Sequence, residues 1–248
     1  MINSIKADIY RILHAKTVWF VFIAVLLLQM RAVFTMNTAD LFSDSYFDPF
    51  FSDSFIVQAE DAFGNDIRVM SYNYGLLIEI VFTTGALITS LYSEGLLKNS
   101  IVSGMSMGRF PLMKTAAVLY INLFLLCFQN LIVFIVNILW NGQENASYFP
   151  NVLLITFWQA FPVICWSCFL ILVAALMRRY PYYLAAVFVP LITLSRGIRA
   201  GYYQPRVIMG FITYEPYDGF RIKVALLSVA VSIISVFLFW LSVNRKVE

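Results

Sequence analysis

The sequence has few charged residues for its length. Only 12% of its 248 residues are charged, whereas a soluble domain carries about a quarter. Hydrophobic residues make up 61% of the chain, and they come in runs near the length of about 20 residues that a helix needs to cross a bilayer. The scarcity of charge therefore argues against an ordinary soluble domain. It predicts an all-α polytopic membrane protein.

The chain also lacks most residues from which enzyme sites are built. It contains no Gly-Lys pair, so it has no P-loop for nucleotide phosphates. Its one histidine, His14, precedes the first apolar segment, so a zinc or Ser–His site inside the bundle is not expected. Only Glu79 supplies a carboxylate within an apolar segment. Cys165 and Cys168 form a C-x-x-C without the βαβ context of a redox motif, which favours plain helix packing. We expect no catalytic residue, metal site or cofactor in this chain.

Six apolar segments predict six transmembrane helices in a single domain, residues 1–248. The segments are Thr17–Phe34, Tyr72–Leu91, Thr115–Trp140, Val152–Leu176, Tyr182–Ser195 and Val224–Val243. The fifth segment would form a helix only about 21 Å long, which is shorter than the hydrocarbon core of a bilayer, about 30 Å thick. Arg196 follows it directly. Either Arg196 and Arg199 extend to the outer headgroups, or the chain breaks and re-enters the membrane. We favour the second, a re-entrant extracellular segment within residues 196–223.

Basic residues near the segment ends predict the orientation, because Lys and Arg favour the cytoplasmic side. With both termini inside, the cytoplasmic face receives ten: Lys6, Arg11, Lys16, Lys98, Arg109, Lys114, Arg178, Arg179, Arg245 and Lys246. The outer face receives seven: Arg31, Arg68, Arg196, Arg199, Arg206, Arg221 and Lys223. The loop 35–71 is acidic and falls outside. The short cytoplasmic segments are each basic, so both termini are predicted to be cytoplasmic.

Residues 1–16 predict a helix lying in the membrane interface. Ile2, Ile5, Ile9 and Leu13 recur at helical spacing, as in an amphipathic elbow helix whose basic side meets anionic lipid. The alternative is a polar leader with chance periodicity.

Polar residues inside the apolar segments are the candidates for a translocation pathway. Four candidates on the second segment share one helix face: Tyr72, Glu79, Thr83 and Ser90. Four on the third segment form two adjacent stripes: Asn122, Gln129, Asn130 and Asn137. An ionisable group within a membrane helix is costly and indicates a pathway or a partner. The alternatives are a protonated Glu79 bonded to a neighbouring helix and amides that join helices.

A polar block interrupts the apolar chain between the second and third segments, within the cytoplasmic loop 92–114. It runs from Glu94 to Arg109, with Lys114 beyond it. The block resembles the permease subunits of ABC transporters of the type-2 exporter family, especially those of bacteriocin immunity and peptide-toxin export in Gram-positive bacteria. The residues that match the family pattern are Glu94, Lys98, Asn99, Ser103, Gly104, Ser106, Arg109 and Lys114. The chain departs from the pattern at Gly95 and at Met107-Gly108.

The resemblance implies that the block is a coupling helix that docks on a separate ATPase. Leu97 would belong to its apolar ridge, and Arg178 and Arg179 would form a second contact. ATP and Mg²⁺ would bind to two ATPase copies, and the permease would form a homodimer or a heterodimer in the cytoplasmic membrane of a bacterium. The expected cargo is a hydrophobic or amphipathic peptide, with membrane lipid as a further partner and no nucleic acid.

Three alternatives to this interpretation stay open. The block could be a basic loop that rests on lipid headgroups. The chain could be a drug- or ion-exporting permease of the same fold. It could also be a membrane sensor or scaffold that binds a peptide without moving it.

Overall fold

The described part of the protein, in a computed structural model, consists of α-helices, of which two consecutive pairs are joined by described two-residue turns. It comprises residues 2–35, 66–93, 109–141, 149–197 and 220–244. Within these ranges lie α1 (Ile2–Leu13), α2 (Lys16–Thr35), α3 (Asp66–Ser93), α4 (Arg109–Asn141), α5 (Phe149–Met177), α6 (Tyr180–Gly197) and α7 (Phe220–Asn244). The predictions for loop 35–71 and for the re-entrant segment fall almost entirely outside the described residues.

Each apolar segment that the sequence predicts to be helical lies within one of the helices α2 to α7. Three stretches are long and apolar enough to cross a membrane: Arg109–Val136, Gln159–Met177 and Ala225–Val243. Lys6–Leu13 and Lys16–Leu27 meet these criteria together as a bent pair, which gives up to four candidate spans. Leu77–Tyr92 and Tyr180–Val189 are shorter apolar helices. The all-helical character and several membrane-length apolar helices are thus confirmed in the described residues.

A sharp corner separates α1 from α2. The two helices are bent by 63°, and the indole Nε1 of Trp19 donates a hydrogen bond of 2.5 Å to the carbonyl oxygen of Leu13. This bond uses one of the carbonyls that the end of α1 leaves without an intrahelical donor. The predicted N-terminal helix is therefore present, and a side chain of α2 closes its last turn.

The centre of the bundle is formed by α3, α4 and α5. Helix α5 contacts α3, α4, α6 and α7, while α2 packs on α3 and α4. Leu87, Val118 and Leu170 are among the buried core residues contributed by the three central helices. Helix α7 lies at the periphery against α5, and its outer face exposes Leu226, Ile233 and other large apolar side chains.

Small residues allow α5 and α7 to approach closely. Cys165 lies against Ser228, and Cys168 lies against Ser232 one turn further along. Small side chains at a helix interface are the usual means of close packing in membranes, where apolar burial gives little drive for association. Both thiols are buried and free, so the C-x-x-C takes part in helix packing as the sequence predicts.

A turn of two residues reverses the chain between α5 and α6. Arg178 adopts a left-handed conformation with φ of 60°, and its N–H donates a 2.9 Å hydrogen bond to the carbonyl oxygen of Ala174. This is the geometry of an αL helix cap, usually occupied by glycine. Helix α6 then continues through Pro190 to Gly197. It is therefore longer than the 14-residue segment that the sequence predicts.

A tyrosine of α6 is inserted between α3 and α5. The Tyr183 hydroxyl donates a 2.9 Å hydrogen bond to the carbonyl oxygen of Val81, and the side chain is fully buried. Gly85, one turn along α3, makes room for the ring. A Cβ at this position would collide with the rings of Tyr183 and Tyr180, so glycine is required here by the close approach of the aromatic pair.

Replacing Gly85 by alanine should destabilise the bundle by about 1–3 kcal/mol, the usual cost of overpacking. The Tyr183 ring cannot move away freely because its hydroxyl is bonded to α3. The measurement is reversible unfolding of the purified protein in mixed micelles. In a Tyr183→Leu background the same change should cost much less, since the colliding ring is gone. Equal costs in both backgrounds would contradict this explanation.

Candidate functional site

One cluster of polar side chains joins the three central helices around Asn122 of α4. The Asn122 amide nitrogen donates hydrogen bonds of 2.8 Å to the Ser167 hydroxyl of α5 and 3.3 Å to the Thr84 hydroxyl of α3. The Thr83 hydroxyl lies 2.6 Å from Asn122 Oδ1 and 2.9 Å from the carbonyl oxygen of Glu79. All these side chains are buried. A single amide therefore connects α3, α4 and α5, and we call this set the inner cluster.

A second cluster, the outer cluster, joins α4 to α5 two turns further along. The Asn130 amide nitrogen donates 2.8 Å hydrogen bonds to Gln159 Oε1 and to the Thr156 hydroxyl. Gln129 is also buried, and neither its Nε2 nor that of Gln159 has a hydrogen-bond partner within the described structure. This cluster thus holds donors without acceptors.

The hydrogen bonds define the depth of each cluster. Because Asn122 pairs with Ser167 and Asn130 with Gln159, α4 and α5 run antiparallel. Thr83 of α3 lies against Asn122 of α4, and α1 bridges Leu87 of α3 and Lys114 of α4 through Arg11 and Asp8. These two levels place α3 antiparallel to α4. At 1.5 Å per residue, the inner cluster lies about 15–20 Å from the helix ends that flank residues 94–108, and the outer cluster about 27–32 Å. Glu79, about 21 Å from the end of α3, lies just beyond the inner cluster and short of the outer one.

Glu79 is the acidic residue of this polar region. Only 1% of its surface is exposed, and both carboxylate oxygens lack a hydrogen-bond partner in the described ranges. Helices α2 and α4 to α7 contain no Asp or Glu. A charged carboxylate at the centre of a bilayer costs several kcal/mol or more. An unpartnered acid at this place is therefore a strong candidate for function rather than for stability.

A buried ion pair ties α1 to the beginning of α4. The Lys114 ammonium lies 2.5 Å from Asp8 Oδ2, and the two residues are only 5% and 7% exposed. Arg11 lies 3.9 Å from Asp8 Oδ1, and its guanidinium is 3.5 Å from the carbonyl oxygen of Leu87 in α3. Lys114 is thus directed into the bundle, and it is not exposed to a partner on the surface.

The other predicted coupling residues divide into two groups. Arg109 at the start of α4 and Arg178 and Arg179 between α5 and α6 have exposed side chains. By the antiparallel register, all three lie at the end of the bundle that flanks residues 94–108. The remaining members lie outside the described residues: Glu94, Leu97, Lys98, Asn99, Ser103, Gly104 and Ser106. The predicted loop is also shorter than 92–114, because α3 continues to Ser93 and α4 begins at Arg109.

The structure brings together some of the predicted pathway residues. Thr83 and Asn122 are in contact, Glu79 lies one turn from Thr83, and Gln129 and Asn130 are buried. Ser90 is half-buried near the end of α3, with its hydroxyl 2.9 Å from the carbonyl oxygen of Leu87. The side chains of Tyr72 and Asn137 lie outside the described residues.

Sequence reasoning missed the contributions of α5 and α1. Gln159 of α5 is a bulky amide in an apolar stretch, and that signal is visible in the sequence. Ser167 stands between the two cysteines and has no comparable signal, because serine is common in membrane helices. Asp8 of the N-terminal helix is buried and bound to Lys114 of α4. Its pairing with a residue 106 positions away has no local signature.

Searches against protein-family models, curated proteins and solved structures gave no match to this chain.

Removing either partner of the Asp8–Lys114 pair should destabilise the protein by about 3 kcal/mol. This is the lower end of the range for an orphaned buried charge, because the pair lies near the helix ends. The double variant Asp8→Asn/Lys114→Met should recover most of the loss. Unfolding of the four proteins in the same detergent measures the coupling, and Lys6→Met serves as an exposed control. Additive losses would show that the two charges do not interact.

Proposed function

We propose that the chain is the membrane-spanning permease subunit of an ATP-driven ABC exporter. Its six long helices would cross the cytoplasmic membrane of a bacterium, with both termini inside, and α1 would lie at the inner interface. Two copies, identical or as a heterodimer with a related chain, would bind two ATPase subunits. The cargo would be a hydrophobic or amphipathic peptide, such as a bacteriocin, lantibiotic or peptide toxin, moved in export or self-immunity. The chain itself would not be an enzyme.

The observation that carries the proposal is the group of exposed arginines around one end of the bundle. Arg109, Arg178 and Arg179 come from different parts of the chain and meet at the end from which the block 94–108 emerges. A docking surface typically has an apolar centre and charged rim residues that determine its register. The apolar residues of the block, such as Leu97, would supply the centre, and the arginines would supply the rim.

The transport class is supported by the polar residues in the interior. A scaffold needs only packed apolar helices, whereas this bundle places amides, hydroxyls and one carboxylate at two depths between α3, α4 and α5. Such groups are costly in a membrane unless they are paired or lie along a path. Among the described residues the pairing is incomplete at Glu79, Gln129 and Gln159, as expected where a transient opening exposes these groups to substrate or water.

The ion pair of Asp8 and Lys114 suggests how ATP binding would reach the interior. In the proposal, closure of the ATPases pulls on the block between α3 and α4. Helix α1 contacts both helices beside that block, so all three would move together. The bundle would then alternate between inward and outward openings, as in a rigid-body switch. Lys114 would transmit this movement through α1 and would not touch the ATPase.

Reversing the charge of Arg109 should abolish co-purification of the ATPase. The Arg109→Glu chain would be purified from native membranes in mild detergent, and a co-purifying P-loop ATPase would be compared with that recovered with the unaltered chain. A deletion of Leu96–Val102 should have the same effect, because it removes the apolar centre of the docking surface. Lys6→Glu is the matched control, since Lys6 is exposed and basic but lies on α1. Normal ATPase recovery with both altered chains would refute the docking role.

The cargo class can be tested with the reconstituted complex. An amphipathic cationic peptide should stimulate ATP hydrolysis several-fold, because the substrate favours the conformation that the ATPases close on. Stimulation by small organic or inorganic cations, and not by peptides, would favour the drug- or ion-exporting permease. Peptide binding without any stimulation would favour the sensor or scaffold.

A further inference from the structure

Glu79 has a position that the packing of the bundle does not explain. It is the only acidic residue of α3 beyond Asp66 at the helix start, and its side chain is buried. The hydroxyls of the inner cluster are bonded to the Asn122 side chain, whereas neither oxygen of Glu79 has a hydrogen-bond partner in the part of the chain that the structure describes. Within these residues the acid is therefore buried without a compensating hydrogen bond.

Among the side chains that the structure describes, no charged or titratable group of a neighbouring helix is bonded to Glu79. Arg11 reaches the carbonyl of Leu87, two turns away, and Asp8 and Lys114 pair with each other. On α6, the Tyr183 hydroxyl donates to the carbonyl of Val81, and the Tyr180 ring lies next to Gly85. Cys165 and Cys168 face α7. The remaining groups of this kind with described side chains on these helices are exposed: Lys6, Tyr10, His14, Lys16, Arg109, Tyr120, Cys127, Arg178, Arg179 and Tyr182.

A weak point of α5 lies at the same depth as Glu79. The pairing of Thr84 and Ser167 with Asn122 sets the register of α3 against α5, and this register places Glu79 at the depth of Pro162 and Val163. Pro162 lies inside α5 and has no N–H, so the carbonyl of Trp158 loses its usual intrahelical donor. A proline inside a membrane helix is a common place for bending. The acid of α3 and a site of bending in α5 thus lie at the same depth of the bundle.

We propose that Glu79 is a proton-binding site that controls the packing of α3 against α4 and α5. In the packed state the carboxyl is protonated, because a carboxylate in this dry interior would be unpaired. When the proton is lost, the charge requires water, and the helices separate at the level of Pro162 to admit it. The proton is exchanged with water, and no other reactant takes part. Acid therefore favours the packed state and alkali favours the open one. This inference does not depend on an ATPase partner.

Infrared difference spectroscopy of the full chain in lipid nanodiscs tests the proton site directly. At neutral pH the wild-type protein should show the carbonyl band of a protonated carboxylic acid, and titration to alkaline pH should remove it. The band should be lost in Glu79→Gln and shifted in Glu79→Asp. The second variant keeps a carboxylic acid, so it serves as the test if Glu79→Gln does not assemble. The band should persist unchanged in Asp8→Asn, the matched control, because Asp8 is paired with Lys114.

Amide hydrogen exchange of residues 77–91 reports the helix separation. After correction for intrinsic rates, exchange in the wild type should rise with pH, and Glu79→Gln should lose this rise because its side chain cannot ionise. Absence of the protonated-acid band at neutral pH would overturn the proposal, as would its persistence in Glu79→Gln. A band that appears only when sodium and potassium are removed would assign the carboxylate to a metal cation instead. An equal rise in exchange in both proteins would overturn the control of packing.

Discussion

The arrangement of the bundle depends on the side chain of Asn122. In a membrane, apolar surfaces gain little by meeting one another, so association relies on close packing and on polar contacts between helices. Asn122 makes such contacts with α3 and α5 at once. Each interhelical hydrogen bond in a membrane protein contributes only about 0.6 kcal/mol on average. The main contribution of these hydrogen bonds is to define the register of the helices. The Asn122 amide can bond Thr83, Thr84 and Ser167 at the same time only at one relative position of α3, α4 and α5.

That register also explains why the interior is not uniformly stable. The inner cluster is fully connected, while the next level towards the outer cluster contains Glu79 and the proline of α5. Fully connected polar groups rigidify a core, whereas partly connected groups are costly. The bundle thus has a fixed point about 15–20 Å from one end and a less satisfied region beyond it. A conformational change that kept the inner cluster intact could open the region around Glu79 by bending α5 at Pro162.

The sequence predicts the helices well because length and hydropathy are local properties. The six apolar segments were located to within a few residues, and the polar face of α3 that carries Glu79 and Thr83 followed from helical spacing. Contacts between distant residues were not predictable in this way. Nothing near Lys114 marks Asp8 as its partner, and Ser167 resembles any serine in an apolar helix. The left-handed Arg178 was also missed, since glycine is the residue that normally signals such a cap.

The end of the bundle that flanks the polar block is built to move as one piece. Asp8 binds Lys114 of α4, Arg11 approaches the carbonyl of Leu87 in α3, and Trp19 closes the corner to α2. A force on the block would therefore act on α1, α3 and α4 together. Helix α5 packs on α3 and α4 and is bonded to both through Asn122, and it contains Pro162 beyond that level. A pull on the polar block would thus move α5 away from α3 at the depth of Glu79. The buried ion pair makes that linkage stiff, and the unpaired acid makes the movement sensitive to protons.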